Sequence, residues 1–282
     1  MSSEFKVTLW GTRGSLATPG ADKLGYGGNT ACVSVQSDDG TLLVLDAGTG
    51  IRNLGLVLPP DIRRVDLLLT HLHMDHVQGI GFFRPIRTPG VDVHVWGPAA
   101  SSRTLAHRLS RYLSPPLFPV YLREMECNLH LHEVPCGDFQ VGPYQISCEH
   151  ICHPDPSVGY RVATARAAFA YLPDHEPALG TREFSVGRDW ISGSHLVENA
   201  DLLVHDSQYT DAQYAPRVGW GHSSLRHAIQ FAALNGVKEM VTFHHDPSHT
   251  DGQLDQMLDS LVQEMRPPVK VTPGREGTAF EL

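Results

Sequence analysis

The sequence predicts an α/β fold, and three observations lead there. Short apolar runs of strand type recur from the N-terminus onward. Clear amphipathic helices come late. No low-complexity linker, internal repeat or charge block divides the 282 residues, so a single domain over residues 1–282 is expected. Hydrophobic residues at 41% and charged residues at 19% allow a sizeable core.

Taken in order, Phe5–Trp10 reads as a strand, followed by a glycine-rich loop from Gly11 to Gly28. Ala31–Gln36 and Thr41–Leu45 read as strands joined by the turn signal Asp39-Gly40. Val65–Leu69 is a buried-strand run, and Val91–Trp96 is another strand. Ala99–Leu113 reads as a helix with Leu105, Leu109 and Leu113 at four-residue spacing and Ser101 or Ser102 as its cap, stopped by Pro115, Pro116 and Pro119. Leu129–Val134, Tyr144–Cys148, Tyr160–Ala163 and Ala167–Leu172 follow as strands, and His175 to Ser194 reads as loop. Leu202–His205 is a strand, Ser223–Leu234 a helix closed by Asn235-Gly236, Glu239–Phe243 a strand and Asp251–Gln263 the last long helix.

Charge excludes some functions. With 22 basic and 31 acidic residues the formal net charge is −9, which disfavours non-specific binding to nucleic acid or to an anionic membrane. No apolar run approaches the roughly 18 residues that span a bilayer, and no basic-then-apolar N-terminus announces secretion. The five cysteines, Cys32, Cys127, Cys136, Cys148 and Cys152, form no C-x-x-C, so a disulfide framework or thiolate zinc site is not expected and a reducing cytoplasm fits.

Histidine is over-represented, at 17 residues. The strongest motif is His71-x-His73-x-Asp75-His76, directly after the Val65–Leu69 run. In an extended chain residues i and i+2 share a face, so His71 and His73 can aim at one point. Asp75 and His76 follow where the chain turns and can face a second point nearby. Imidazole and carboxylate are the donor set for zinc, manganese or iron. Strand ends downstream offer further donors: His153, Asp174 and His244.

On these residues the sequence resembles the metallo-β-lactamase fold superfamily of metallohydrolases. It looks most like the branch holding ribonuclease Z and related phosphodiesterases. His71-x-His73-x-Asp75-His76 matches the superfamily signature, Asp46-Ala47-Gly48 its structural Asp-x-Gly, His153 the third-motif histidine, Asp174 the bridging aspartate and His244 the last ligand. Gly221-His222-Ser223-Ser224 resembles an element that supplies a non-ligand histidine to the scissile phosphate. Gly11-Thr12-Arg13-Gly14-Ser15 and the run Leu203 to Thr210 are similar to a bacterial subgroup of hydrolases.

The resemblance implies a four-layer αββα sandwich, two mixed sheets flanked by helices. It implies two divalent metal ions, zinc by default with manganese or iron as alternatives. The first would take His71, His73, His153 and Asp174, and the second Asp75, His76, Asp174 and His244, with Asp174 bridging. His245 competes with His244 for its place, and Asp206 with Asp174, or Asp206 orients an imidazole. The cations would lower the pKa of a water so that hydroxide attacks at neutral pH. Asp75 would accept a proton, and His222 would act on the phosphate or the leaving group.

The His222 element and the acidic chain together imply a small phosphodiester substrate, with cyclic nucleotides the first expectation; tRNA is demoted because the long arm with which ribonuclease Z grips it is not evident. No stable nucleic-acid complex and no membrane partner are expected, and a homodimer is compatible. A lactonase or other ester or amide hydrolase on the same metals is the alternative, with a non-hydrolytic redox protein third. Gly11–Ser15 and Tyr26–Thr30, with Arg13, read equally as a phosphate cradle or as plain turns. Ala99–Val120 reads equally as a lid or a connecting helix, while Trp220 reads first as a packed core indole and second as a stacking platform.

Overall fold

The computed structural model describes residues 4–134, 136–181, 184 and 187–282. The first sheet begins with β1 (Phe5–Gly11), β2 (Cys32–Ser37) and β3 (Leu42–Leu45), then α1 (Ile51–Val57), β4 (Arg64–Leu68), α2 (Met74–Val77), β5 (Asp92–Pro98), α3 (Leu105–Ser110) and β6 (Asn128–Val134). The second is built from β7 (Gly137–Val141), β8 (Tyr144–His150), β9 (Val158–Ala163), β10 (Ala168–Leu172), α4 (Ser194–Val197), β11 (Leu202–Asp206), α5 (Asp211–Tyr214), α6 (Leu225–Leu234), β12 (Glu239–Phe243), α7 (Asp251–Met265) and β13 (Lys270–Pro273). The chain then returns to the first sheet as β14 (Ala279–Glu281).

Among the described residues each sheet has seven strands, in the orders β14-β1-β2-β3-β4-β5-β6 and β13-β12-β11-β10-β9-β8-β7. Both are mixed in the same way. Pairings are antiparallel from β14 to β3 and from β7 to β10, and parallel from β3 to β6 and from β10 to β13.

Strand alternation builds the layers. Phe5, Val7 and Leu9 of β1 face the second sheet, where Tyr144, Ile146, Tyr160, Phe169 and Tyr171 meet them. On the outer face of the first sheet Val65, Leu67, Val93 and Val95 pack against Ile51, Leu54, Leu105 and Leu109. On the outer face of the second, Ala170, Leu203 and Met240 pack against Ala228, Ile229, Ala232 and Leu258. Helix, sheet, sheet and helix are the four layers that the motifs implied.

The expected helix over 99–113 is shorter. It runs only over Leu105–Ser110, capped by Thr104, whose hydroxyl accepts from the His107 amide, and not by Ser101 or Ser102. Residues 99–104 are not helical; Glu133 accepts the Leu105 amide at 2.7 Å instead, tying the helix start to β6. Strands β7, β13 and β14 went unforeseen because each is a short sheet edge or partly exposed, with weak apolar alternation. Much of the predicted loop 175–194 is irregular, though Arg188–Trp190 forms a 3-10 turn and α4 starts at its end; 182, 183, 185 and 186 lie outside the described residues.

Candidate metal centre

The chemistry-bearing residues collect at one rim of the sandwich. After β4 the chain stays extended through His73, the N-cap of α2, and α2 carries Asp75 and His76. This brings the His71 and His73 rings within 4.4 Å and the His71 and His76 rings within 4.2 Å. The second sheet adds His153 after β8, Asp174 after β10 and His244 after β12.

Two donor groups result. His71, His73 and His153 form one, and Asp75, His76, Asp174 and His244 the other, with donor atoms inside each group within 4.8 Å of one another. Asp174 joins them. Its Oδ1 lies 2.9 Å from His76 Nε2, and its Oδ2 lies 3.3 Å from His244 Nε2, 3.7 Å from His71 Nε2 and 3.8 Å from His153 Nε2. His244 Nε2 is also 3.1 Å from Asp75 Oδ2, and His153 Nε2 is 3.2 Å from His73 Nδ1. All seven metal residues expected from the sequence are therefore brought together.

These donors fit divalent cations. His71 Nε2, His76 Nε2 and Asp174 Oδ1 are buried without a hydrogen-bond partner. His76 and Asp174 approach closely but are not aligned as donor and acceptor, so both atoms face a shared interior point. Orphaned buried polar atoms are costly, and a cation held among them removes that cost. Electrostatics agrees. Burial keeps His71 and His153 below the ordinary imidazole range, in the neutral form that ligates. Burial opposes ionisation of Asp174, but His244, His76 and His71 outweigh it and hold the carboxyl well below the usual range. Burial also opposes a charge on His76, yet Asp174, Asp75 and Asp46 raise it, so the carboxylates draw positive charge to that point.

A layer of supports fixes these groups. Buried Asp46 accepts from the Thr70 amide at 2.8 Å, from Thr70 Oγ1, from His76 Nδ1 at 2.7 Å and from the Tyr171 hydroxyl at 3.1 Å. It presents Nε2 of His76 to the centre, the usual work of a carboxylate behind a ligating imidazole. Asp46 and His244 both carry a left-handed backbone, with φ of 58° and 57°. Such strain in non-glycine residues collects at functional sites. Gly14 lets His244 come close, since a Cβ there would lie 2.4 Å from His244 Nδ1. The Ser15 amide donates to Asp75 Oδ2 at 2.8 Å.

His222 stands beside the second group. Its Nδ1 donates to Asp206 Oδ2 at 2.7 Å and lies 3.9 Å from Asp174 Oδ2. Asp206 is itself held by the amides of Gln208 at 3.0 Å and Ser223 at 3.2 Å. Burial would lower the His222 pKa, but Asp206 outweighs it and the value is pushed up to about 9. His222 also comes within 4.8 Å of His153 and Asp174, and of Asp206 and His244. With Nδ1 committed to Asp206, its Nε2 remains for another partner.

The open alternatives divide cleanly. His245 points away, its Nε2 donating to the Gly274 carbonyl at 3.0 Å, while His244 faces the centre. Asp174 sits between the donor groups, and Asp206 orients His222. Arg13 is no phosphate ligand: it is fully buried, donating to the Gly27 carbonyl at 2.8 Å, the His249 carbonyl at 3.0 Å and Asp251 at 3.2 Å. The glycine-rich loop it anchors is structural on that side. Trp220 is no core indole; it is 58% exposed, with the Arg217 guanidinium 5.7 Å from its ring centre.

Sequence reasoning missed Glu176. It is buried and accepts from the Tyr214 hydroxyl at 2.8 Å, the Gly219 amide at 2.9 Å and the Gly221 amide at 2.8 Å. The Gly221 carbonyl in turn accepts from His153 Nδ1 at 2.9 Å. The available signal was its position, two residues after Asp174.

Comparison with known proteins agrees with this geometry. A family model described as the beta-lactamase superfamily domain matches residues 41–245. A protein from Gemmatimonas aurantiaca named Ribonuclease Z is 23% identical over 288 residues, 86% of this chain and 88% of that one. Among solved structures, the metallo-beta-lactamase fold protein YhfI from Bacillus subtilis aligns over 100% of both chains with a TM-score of 0.70 at 18% identity. A diphosphatase from the PhnP family aligns over 99% of this chain and 97% of its own with a TM-score of 0.68 at 18% identity.

Proposed function

The chain belongs to the beta-lactamase superfamily, and on that premise we propose that it is a metal-dependent hydrolase of small phosphodiesters, a class that includes cyclic nucleotides. His71, His73, His153 and Asp174 would hold one divalent cation, and Asp75, His76 and His244 would hold a second, with Asp174 within reach of both. Zinc suits this nitrogen and oxygen set, and manganese or iron accept the same donors. Bound there, the cations supply Lewis acidity that neutralises charge on the phosphoryl oxygens and lowers the pKa of the attacking water.

The protein's own groups do the rest. Asp75, whose Oδ2 accepts from the Ser15 amide and lies 3.1 Å from His244 Nε2, would accept the proton of the attacking water. His222, its Nδ1 proton fixed on Asp206, presents Nε2–H toward a non-bridging oxygen or the departing alkoxide. That alkoxide leaves protonated once the imidazolium gives up its Nε2 proton.

The observation that carries this reading is the Asp206–His222 pair, a hydrogen-bonded donor beside the metal residues and not needed to complete either group. Such a donor suits a substrate that is already anionic before attack. The relative named Ribonuclease Z supports a phosphodiester as the bond cut, and the neighbour named a diphosphatase supports attack at phosphorus.

The test is turnover of bis(p-nitrophenyl) phosphate by zinc- or manganese-loaded protein, beside a lactone and nitrocefin. Diester turnover is expected. His222→Ala should lower it by roughly tens of fold or more while metal content stays intact. Turnover of the lactone alone removes the phosphodiesterase reading, and equal loss of metal and activity in His222→Ala makes His222 a ligand.

A further inference from the structure

A cleft of about 690 Å³ opens directly beside the centre, with His73 in its wall. That volume suits a small organic ligand. Its floor is apolar, formed by Leu72, Val77 and Leu109. Its outer wall is cationic. Arg103, His107 and Arg111 line it at four-residue spacing across α3 and its flanks, while Leu105 and Leu109 turn inward to the core. Residues i and i+4 share a helix face, so the helix presents His107 and Arg111 together, and Arg103 precedes the cap on the same side.

Among the described residues these three side chains have no carboxylate within 4 Å, whereas Arg108 on the same helix lies 3.8 Å from Glu133 and donates to the Pro98 carbonyl. Arg64, Arg226 and Arg275 each sit on an aspartate. A carboxylate does line the cleft, that of Asp155, but it stands at the opposite lip, 3.6 Å from His73 Nε2. In a chain with a net charge of −9, two guanidinium groups flanking an imidazole N–H donor along a cleft beside the metal centre have a chemical consequence. Guanidinium groups receive phosphate and carboxylate oxygens in paired hydrogen bonds.

We propose that this cleft binds the non-reacting arm of the substrate and that Arg103, His107 and Arg111 receive a second anionic group on that arm. The substrate is thus a phosphodiester carrying a further phosphate or carboxylate. The inference rests on the proposed reaction only for which bond is cut. It narrows the substrate class: a cyclic mononucleotide spends its one phosphate at the metals and leaves the row empty, whereas a diester with a second phosphate occupies both.

The metal-loaded protein is assayed on two p-nitrophenyl phosphodiesters that differ only in the other arm, 3-hydroxypropyl or 3-phosphopropyl. The phosphorylated arm should be favoured in kcat/KM by about tenfold or more, and the double variant Arg103→Gln/Arg111→Gln should bring that ratio close to one. A wild-type ratio near one, or a ratio unchanged in the variant, overturns the proposal. If neither diester is hydrolysed, the proposed function fails while the cleft is still judged, by calorimetric binding of propane-1,3-diyl bisphosphate, which has one phosphate for the metals and one for the row, to the same loaded proteins. Affinity about tenfold weaker in the variant supports the cationic row, and equal affinity overturns it.

Discussion

Glu176→Gln tests whether the loop before His222 is positioned from below. The carboxylate accepts from Tyr214 through Oε1, from Gly221 through Oε2 and from Gly219 through both. A glutamine keeps the shape but turns one oxygen into an NH2, which cannot accept. If the amide nitrogen takes the Oε2 place, the buried Gly221 N–H loses its partner and meets another donor. A hydrogen bond to a charged group is worth about 1.5–3 kcal/mol, and an orphaned buried N–H costs a similar amount. A net destabilisation of about 2–3 kcal/mol is expected, or roughly 4–10 °C in Tm for a chain of this size. Stability alone would only mark a structural residue. Gly221 sits between Glu176 and two site residues, since its carbonyl holds His153 and its successor is His222. A shift of about 1 Å in a reacting group can cost on the order of 100-fold in rate. Diester hydrolysis at saturating metal and 25 °C, well below the transition, should therefore show kcat down by at least about tenfold with KM changed far less. A lowered Tm with kcat within about twofold of wild type would refute the positioning role, and an unchanged Tm would refute the energetic reasoning as well.

Two further outcomes follow from the supports of the centre. Asp46→Asn removes the charge behind His76 Nδ1, 2.7 Å away, so metal affinity measured by competition with a chromophoric chelator should fall by roughly 10–100-fold; an unchanged affinity would show that Asp46 does not hold the ligand. Gly14→Ala places a Cβ 2.4 Å from the His244 ring, so one metal should become loosely held while the other is retained, read as loss of about half the bound metal on dialysis; full retention with normal turnover would mean that the loop yields without moving His244.

How far the sequence revealed this depended on sequence distance. His71, His73, Asp75 and His76 were legible because four donors fall within six positions, and extended geometry alone aims the first two together. His153, Asp174 and His244 were legible as polar residues just past apolar strands. Choosing His244 over His245 needed the fold, because both follow β12 and only the backbone at φ 57° decides which ring faces in. Glu176 left no signal beyond its place two residues after Asp174, since its partners lie 38 to 45 residues away, at the end of α5 and in the loop before α6. The cationic row left a signal that went unread. The same four-residue repeat that marks Leu105, Leu109 and Leu113 marks Arg103, His107 and Arg111 two positions earlier. Arg13 misled because a Gly-Thr-Arg-Gly loop looks the same from sequence whether its guanidinium faces a ligand or the core.

The mixed sheets explain why all this chemistry meets at one rim. In each sheet neighbouring parallel strands end on the same side, and those ends carry the functional residues. From the first sheet, β3 leads to Asp46 and β4 to the His71–His76 run. From the second, β10 leads to Asp174, β11 ends on Asp206 and β12 leads to His244. Each sheet thereby supplies one buried aspartate that grips an imidazole Nδ1 at 2.7 Å: Asp46 on His76 and Asp206 on His222. The two pairs share a geometry and differ in what the far nitrogen meets. His76 is sealed, and its Nε2 lies 2.9 Å from Asp174 Oδ1 and 3.4 Å from Asp75 Oδ2, so a cation is what can satisfy that atom. His222 keeps about a tenth of its side chain open to solvent and stacks on His244 with ring centres 4.9 Å apart, so its free nitrogen lies where an incoming anion can reach it. On the proposed assignment, the same carboxylate–imidazole device serves as a metal ligand where the rim is closed and as a hydrogen-bond donor where it is open. Exposure, more than residue type, separates the two roles.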